Sequence, residues 1–534
     1  MKKIFLFFVL TSHYFYSQNR LINHNQSIYD FLERISAKRI ISTGYFAKPY
    51  SMKDISSMLI QVIKNQNNLT LQEREEAYYY LGLYQNLIEK SNREQKKVFE
   101  LKYGFQDSTI NLNLKPIVGI GSKRIYGEFQ FKRYWGFEAY GSFSNWLSFQ
   151  TDFRDNWEKG RNLNRYKIFE NETYPLIMVS DIEHIEYSEA KGAILFHNEW
   201  ADFGIVKENF IWGDGINSQL IFSKRAPSFP ALYLQMKWKD YLRFYYLHGW
   251  LISRVEDTAK TYETPVRDWS RRIERKKYLA AHAVEIRPIS NLSLTFGETI
   301  IYSDMDLQLN YLLPFAFYRS IDHSYEGSGG YRTGNNGSLF LNLSYIPFYG
   351  FKFFGSFFID EFSLSNFLKG KNDRNQTAYQ VGLKNYGFID NLLLSLEYAK
   401  IMPWVYSNYV PAQTYTHAGA LLGHYIDQNS DQIYSAIEYW FTRGFKAKAF
   451  FERTRNGEFG DLNLQYDETG EKFLYGRKRM KKSFGIELSY ENWGGFNLSA
   501  SYRYDDIIDE NFERTPDWML KYKHSFGIFI RYGY

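Results

Sequence analysis

Cysteine is absent from the 534 residues, so neither a disulfide framework nor a thiolate metal site can hold this chain together. No window approaches the ~18 consecutive apolar residues that a membrane-spanning helix needs, which excludes a helical inner-membrane protein. Charge of one sign is not in surplus either. The 65 basic and 59 acidic residues give a net charge of +6 and are spread along the chain, so there is no basic run to recruit nucleic acid. Two catalytic templates are missing as well. None of the ten histidines stands in an H-E-x-x-H pair, and no G-x-S-x-G elbow is present, so the zinc-protease and hydrolase templates find no match, and an embedded hydrolase drawing Ser, His and Asp from separate strands ranks last among the competing readings. A non-enzymatic protein without cofactor or metal is expected.

Aromatic residues are abundant. They make up 19% of the chain, roughly twice an ordinary share, yet only 44% is hydrophobic and mean hydropathy is -0.45. A chain that is aromatic without being apolar suits a barrel with a lipid-facing skin, aromatic girdles and a wet interior.

Periodicity supports the same class. From about residue 280 to the end, alternating segments come in pairs joined by short turns, with longer polar stretches between the pairs. Turns are read at Ser290-Asn291, Phe348-Tyr349, Ile389-Asp390, Arg443-Gly444 and Trp493-Gly494, with further ones near Phe143-Ser144, Glu199-Trp200 and Lys239-Asp240. Eight hairpins, a first strand near 110–119 and a last over 524–534 predict about 18 strands in a transmembrane antiparallel β-barrel, an even number as bacterial barrels require. A monomeric barrel in the outer membrane of a Gram-negative cell is expected. Residues 1–17 read as a signal peptide, with Lys2-Lys3 before an apolar core and Ser17 at the cleavage site.

Alternation also assigns faces. Phe351, Phe353, Phe357 and Ile359 oppose Lys352, Ser356 and Asp360. Phe484, Ile486, Leu488 and Tyr490 oppose Ser483, Glu487 and Ser489, and Phe496, Leu498, Ala500 and Tyr502 oppose Asn497, Ser499 and Arg503. The last strand places Phe526, Ile528, Ile530, Tyr532 and Tyr534 against lipid. Charge facing the bilayer midplane costs roughly 2–4 kcal/mol for Lys or Arg, so the polar faces are the lumen. Its charges then include Arg287, Lys384, Lys446, Lys448 and Arg531 with Glu285, Glu397 and Glu452, a mixture of signs that predicts ion pairs across the lumen over a one-sign filter.

Residues 18–100 change period. Ile28, Phe31, Leu32 and Ile35, then Ile55, Met58, Leu59 and Val62, then Ala77, Tyr80, Leu81, Tyr84 and Ile88 form helical stripes. Each begins with a capping box, Ser27 with Asp30, Ser51 with Asp54 and Thr70 with Glu73. A small α-helical bundle on the periplasmic side, followed by the barrel over 101–534, is the expected organisation.

The segment Trp212-Gly213-Asp214-Gly215 through Ser223, Arg225, Ala226, Pro227 and Pro230 interrupts the strand rhythm and should leave the sheet before Ala231, because proline cannot donate to a ladder. Asp214-Gly215 has the chemistry of a turn. With Leu312-Leu313-Pro314-Phe315, Tyr406-Ser407-Asn408-Tyr409, Thr414-Tyr415-Thr416-His417 and Gly423-His424 in this order, the chain resembles the Wzi-like capsule assembly proteins of the outer membrane. Trp212, Gly213, Asp214, Gly215, Arg225 and Pro227 carry most of the likeness. The resemblance implies a binding protein that attaches or organises capsular or other surface polysaccharide, with no catalytic residue to transfer.

Rings with an apolar face and a polar tip suit sugar stacking, girdles and loop packing alike. In light of the resemblance, Trp404, Tyr406, Tyr409, Tyr415 and His417 in one loop, and Tyr325, Tyr331 and Arg332 in another, are the candidate glycan contacts. His417 and His424 are expected at the surface. Asp427, Asn429, Asp431 and Glu438 have an EF-hand spacing, but Gln432 stands where the loop needs glycine, and an extended run carries Glu438 too far to share an ion. A small-solute channel and a surface adhesion or gliding accessory are the competing functional classes.

Overall fold

A computed structural model describes residues 19–23, 27–84, 101–107, 109–325, 334–361, 375–464 and 472–533. Residues 1–17, expected to be a signal peptide, and Tyr534 lie outside the described residues, as does Ile88. Eighteen strands form a closed barrel. In chain order they are β1 (Ile110–Ile125), β2 (Glu128–Phe143), β3 (Leu147–Lys159), β4 (His184–His197), β5 (Ala201–Glu208), β6 (Phe229–Trp238), β7 (Leu242–Glu256), β8 (Glu274–Ile289) and β9 (Leu292–Ser303). The second half comprises β10 (Asn336–Phe348), β11 (Phe351–Glu361), β12 (Gln376–Asn385), β13 (Leu392–Ile401), β14 (Ser430–Thr442), β15 (Phe445–Asn456), β16 (Arg479–Glu491), β17 (Phe496–Asp509) and β18 (His524–Tyr532). Each strand pairs antiparallel with its neighbour in sequence, and β18 closes on β1 from Phe526 opposite Arg124 to Tyr532 opposite Val118. Closure leaves no unpaired edge for lipid to meet.

The eight expected turns all fall at one end of the barrel, between β2 and β3, β4 and β5, and so on to β16 and β17. Longer connections occupy the other end, with one exception. Tyr126 and Gly127 join β1 to β2 directly, with φ of +52° and +81°. This is the left-handed pair that a two-residue hairpin requires, and glycine supplies half of it without strain.

Lipid-facing rows run as alternation predicts, with Phe353, Leu396, Ile437, Phe484, Ile486 and Ile528 exposed and Lys352, Ser356 and Ser483 buried inside. Tyr532 departs from its row, being buried with its hydroxyl accepting the Leu101 N–H at 2.5 Å. Glu298 is an outward acid that alternation alone would forbid. Its position is stabilised because the connection after β9 folds back over the outside of the wall. Helix α4 (Tyr318–Tyr325) there aims the N–H of Tyr318 at the carboxylate (2.6 Å), and His282 lies 3.2 Å away on the adjacent strand. Tyr246, Tyr302, Tyr311 and Tyr318 bury one another around this contact.

The three N-terminal helices are α1 (Ile28–Ala37), α2 (Met52–Lys64) and α3 (Leu71–Tyr84), and their apolar stripes share one core. The Thr70–Glu73 box forms reciprocally at 3.2 and 3.0 Å. The other two boxes are diverted. Ser51 caps Asp54 N–H, but the Asp54 carboxylate turns to Arg243. At α1 no side-chain cap forms, since Ser27 donates to Glu491 and Asp30 pairs with Lys446. In each case a barrel partner outcompetes the local one, and this docks the helices on the short-turn end.

Docking is electrostatic. Asp54 receives both terminal nitrogens of Arg243 at 3.0 and 3.2 Å, and Tyr45 lies between the guanidinium groups of Arg243 and Arg287, 3.4 and 4.3 Å from the ring centre. Glu33 takes Lys352 and Lys384 at 2.7 and 2.6 Å. Burial pushes the Asp54 and Glu33 carboxyls up, but the facing cations outweigh it and hold both well below the usual carboxylate range. Depressed acids stabilise above their unfolded pKa, and this contribution is lost only in strong acid. Asp54→Asn, which leaves Arg243 buried opposite a neutral amide, is expected to destabilise helix docking by about 3–5 kcal/mol. A denaturant titration of the detergent-solubilised protein would read this as an earlier first transition, and an unshifted curve would contradict the role.

Candidate functional site

The interior is divided lengthwise. One side is a dry core, built where the chain before α2 meets the segment after β5. Ala47 and Lys48 pair with Trp212 and Ile211 as a two-stranded ribbon within the lumen, and Phe46 packs 5.6 Å from the Trp212 ring. Trp212 is buried against Phe222, Tyr245 and Phe340. Residues 209–228 leave the sheet as expected, although β6 begins at Phe229 and includes Pro230 opposite Lys207.

Each residue of the Trp212–Gly215 motif has a fixed partner here. Gly213 has φ of +118°, a conformation that disfavours any side chain, and its N–H reaches Phe46 O at 3.2 Å. A Cβ on Gly215 would meet Ser218 O at 1.9 Å. Asp214 pairs with Lys352 at 2.7 Å and accepts from Asn342 at 2.9 Å, so Lys352 bridges the inserted loop to Glu33 of α1. Glu397 on β13 accepts the N–H groups of Ile216 and Asn217 at 2.5 and 3.3 Å. Ion pairs are therefore present, but they join the wall to the inserted segments, as at Lys352 and Lys384, or link residues of the same or nearby strands, as in Arg287–Glu285, Lys448–Glu487 and Arg503–Glu452. Arg225 donates to the carbonyls of Tyr166 and Glu172, both at 2.9 Å, and lies over the Tyr174 ring. Pro227 is buried beside it.

The loop between β13 and β14 closes over this core. Tyr406 donates to Leu220 O at 2.7 Å and Tyr415 to Ile221 O at 3.1 Å, with the two rings stacked 5.5 Å apart. Ser223 donates to Gly423 O at 2.6 Å. Of the candidate glycan contacts, Tyr406, Tyr415 and His417 are thus buried in the lumen, Trp404 is buried against the connection after β15, where its ring stacks with Tyr475 and its N–H donates to Asp461 O at 3.3 Å, and Tyr409 is 43% exposed. Tyr325 ends α4, and Tyr331 and Arg332 lie outside the described residues. The two histidines expected at the surface are interior. His417 Nδ1 accepts the Ile252 N–H at 3.1 Å, and His424 is fully buried. Alternation cannot see this inversion, because a loop that folds inward carries no strand period. The rings that remain exposed at the long-loop rim include Tyr166, Trp269, Phe459 and Phe512, none of which a motif singles out.

Asp431 and Glu438 lie along β14, paired with Arg455 and Lys446, so the extended reading of that stretch holds. Among the described residues no group of three or more His, Asp or Glu side chains is arranged to hold a metal ion.

No family model and no curated protein matches the sequence. Among solved structures, the fold is similar to that of Wzi, an outer-membrane protein involved in group 1 capsule assembly in Escherichia coli and described as a carbohydrate-binding β-barrel. The TM-score is 0.59 at 10% identity, covering 96% of this chain and 99% of that one. OprD of Pseudomonas aeruginosa (TM-score 0.42, 10% identity, 79% and 94% covered) and OccAB4 of Acinetobacter baumannii (0.41, 8%, 80% and 98%) also match. The chain therefore has an outer-membrane β-barrel fold.

Burial, with Lys277, Lys207 and Arg254 adding to it, pulls His417 down to about 3, and burial pulls His424 down to about 3. Groups lowered from 6.5 stabilise the closed loop fully above that pH and lose this contribution as pH falls towards 3. Asp427 works in the opposite sense. Burial raises it to about 6, so its contribution is complete below 3.8 and lost as pH rises through 6. In an Asp427→Asn background, protection of residues 402–429 from acid-active protease should decline steadily below pH 6.5. Adding His417→Gln and His424→Gln should flatten that decline, and an unchanged slope would remove the histidines from the account.

Proposed function

We propose that this protein sits in the outer membrane and holds or organises surface polysaccharide without chemistry of its own. The short-turn end and its helices would face the periplasm, and the long-loop end the outside. The observation that carries the reading is the combination of a barrel filled by its own N-terminus and loops with a whole-length fold likeness to a carbohydrate-binding barrel. With the dry core occupied by Trp212, Tyr406 and Tyr415, contact with a polymer falls to the rim, where Tyr166, Tyr409, Trp269 and Phe512 present exposed rings. Flat rings bind sugars by stacking and by excluding water from the apolar face of the pyranose, and the Tyr hydroxyls and Trp N–H add a polar edge that Phe512 lacks.

Deleting the gene should release polysaccharide from the cell surface into the medium while the total amount stays constant. Complementation with a Tyr166→Ala, Tyr409→Ala, Trp269→Ala, Phe512→Ala variant should restore a folded barrel in the outer membrane but not attachment. Unchanged attachment in the deletion strain would end this reading. Full rescue by the rim variant would move the contact elsewhere.

A further inference from the structure

The other side of the lumen is wet. A cavity of about 410 Å³ lies at the short-turn end between α3 and the wall, and one of about 430 Å³ lies in the long-loop half beneath residues 163–172. Their linings continue along the same strands. On β17 the inward residues Asn497 and Ser499 line the first cavity, and the next two, Ser501 and Arg503, line the second. Lys446 and Lys448 do the same on β15, and Glu487 of β16 lines both cavities. Gly527 of β18 lies opposite Ser501, and Gly121 of β1 leaves room for the Phe529 ring. Ser501 and Glu487 face into the barrel yet are exposed, as they are only beside space that water can enter.

We propose that the barrel conducts water and small inorganic ions along this wall, past the plug, with the Lys448–Glu487 pair at the junction of the two cavities. The groups are 3.6 Å apart and partly exposed, at 24% and 50%, so the pair is hydrated and weak and does not form a dry seal. Mixed charge along the route suits passage of hydrated ions, since no single site binds either sign tightly enough to trap it. The dry side offers no such route, because Trp212, Phe340, Phe358 and Tyr406 fill it. This activity is independent of polysaccharide attachment.

A chain without cysteine permits a direct test. Full-length protein, with folding verified by heat-modifiable electrophoretic migration, is reconstituted in planar bilayers in potassium chloride. Discrete conductance steps are expected. In Ser499→Cys and Ser501→Cys, a charged methanethiosulfonate reagent should reduce them to the bilayer background. Ser395→Cys, on the filled side, should conduct and resist the reagent. Glu487→Gln should shift the reversal potential under a salt gradient towards that of chloride. Absence of conductance from folded protein would overturn the proposal. So would block at Ser395→Cys to the same extent, or persistence of current through modified Ser501→Cys.

Discussion

An eighteen-stranded wall turns every second side chain into a space that those side chains do not fill, and many of them are charged. The organisation of the molecule follows from satisfying that inward face. A buried charge left unpaired costs far more than it returns when paired, so Lys352, Lys384, Arg243 and Arg287 need counter-charges from beyond the wall or beside them. Glu33 and Asp54 come from the N-terminal helices, Asp214 from the loop after β5, and Glu285 from two residues before Arg287 on the same strand. The helices are therefore part of the barrel's interior electrostatics as much as a separate domain at its mouth.

This explains why the lumen is unequally filled. Partners arrive on the side of β6 to β14, and aromatic residues close around them until water is excluded. On the side of β15 to β18 and β1, small residues and partly exposed ion pairs leave space. A single scaffold thereby separates a rigid, dry half, which anchors the loops that frame the outer rim, from a hydrated half that stays accessible.

Much of the fold could be read in the sequence because strand period and turn chemistry are local. The eight turns, the lipid-facing rows of β11, β16 and β17, and the helical stripes of α1 to α3 depend on near neighbours only. What was not legible depends on distant ones. Ser27 and Asp54 have ordinary capping patterns, and their diversion to Glu491 and Arg243 follows only from docking. Tyr406, Tyr415 and His417 carry the chemistry of a sugar-binding surface, and only the three-dimensional course of their loop turns them into core. Glu298 breaks the rule for a lipid-facing position because a returning helix supplies the amides that water would have supplied. The Trp212–Gly215 motif was visible as an interruption, whereas its role as a fastening between wall, loop and N-terminus was not.

The ribbon of Ala47–Lys48 with Ile211–Trp212 joins chain that precedes the first barrel strand to a loop that follows the fifth. Its hydrogen bonds span a long stretch of sequence, and the entropy of bringing the ends together must be met before they return anything. Once β18 has met β1, the lumen has no lateral entrance, and the helices are too bulky to pass between paired strands. The leading segment therefore reaches its place either inside the wall while the sheet is incomplete or through the short-turn mouth, and never sideways between strands.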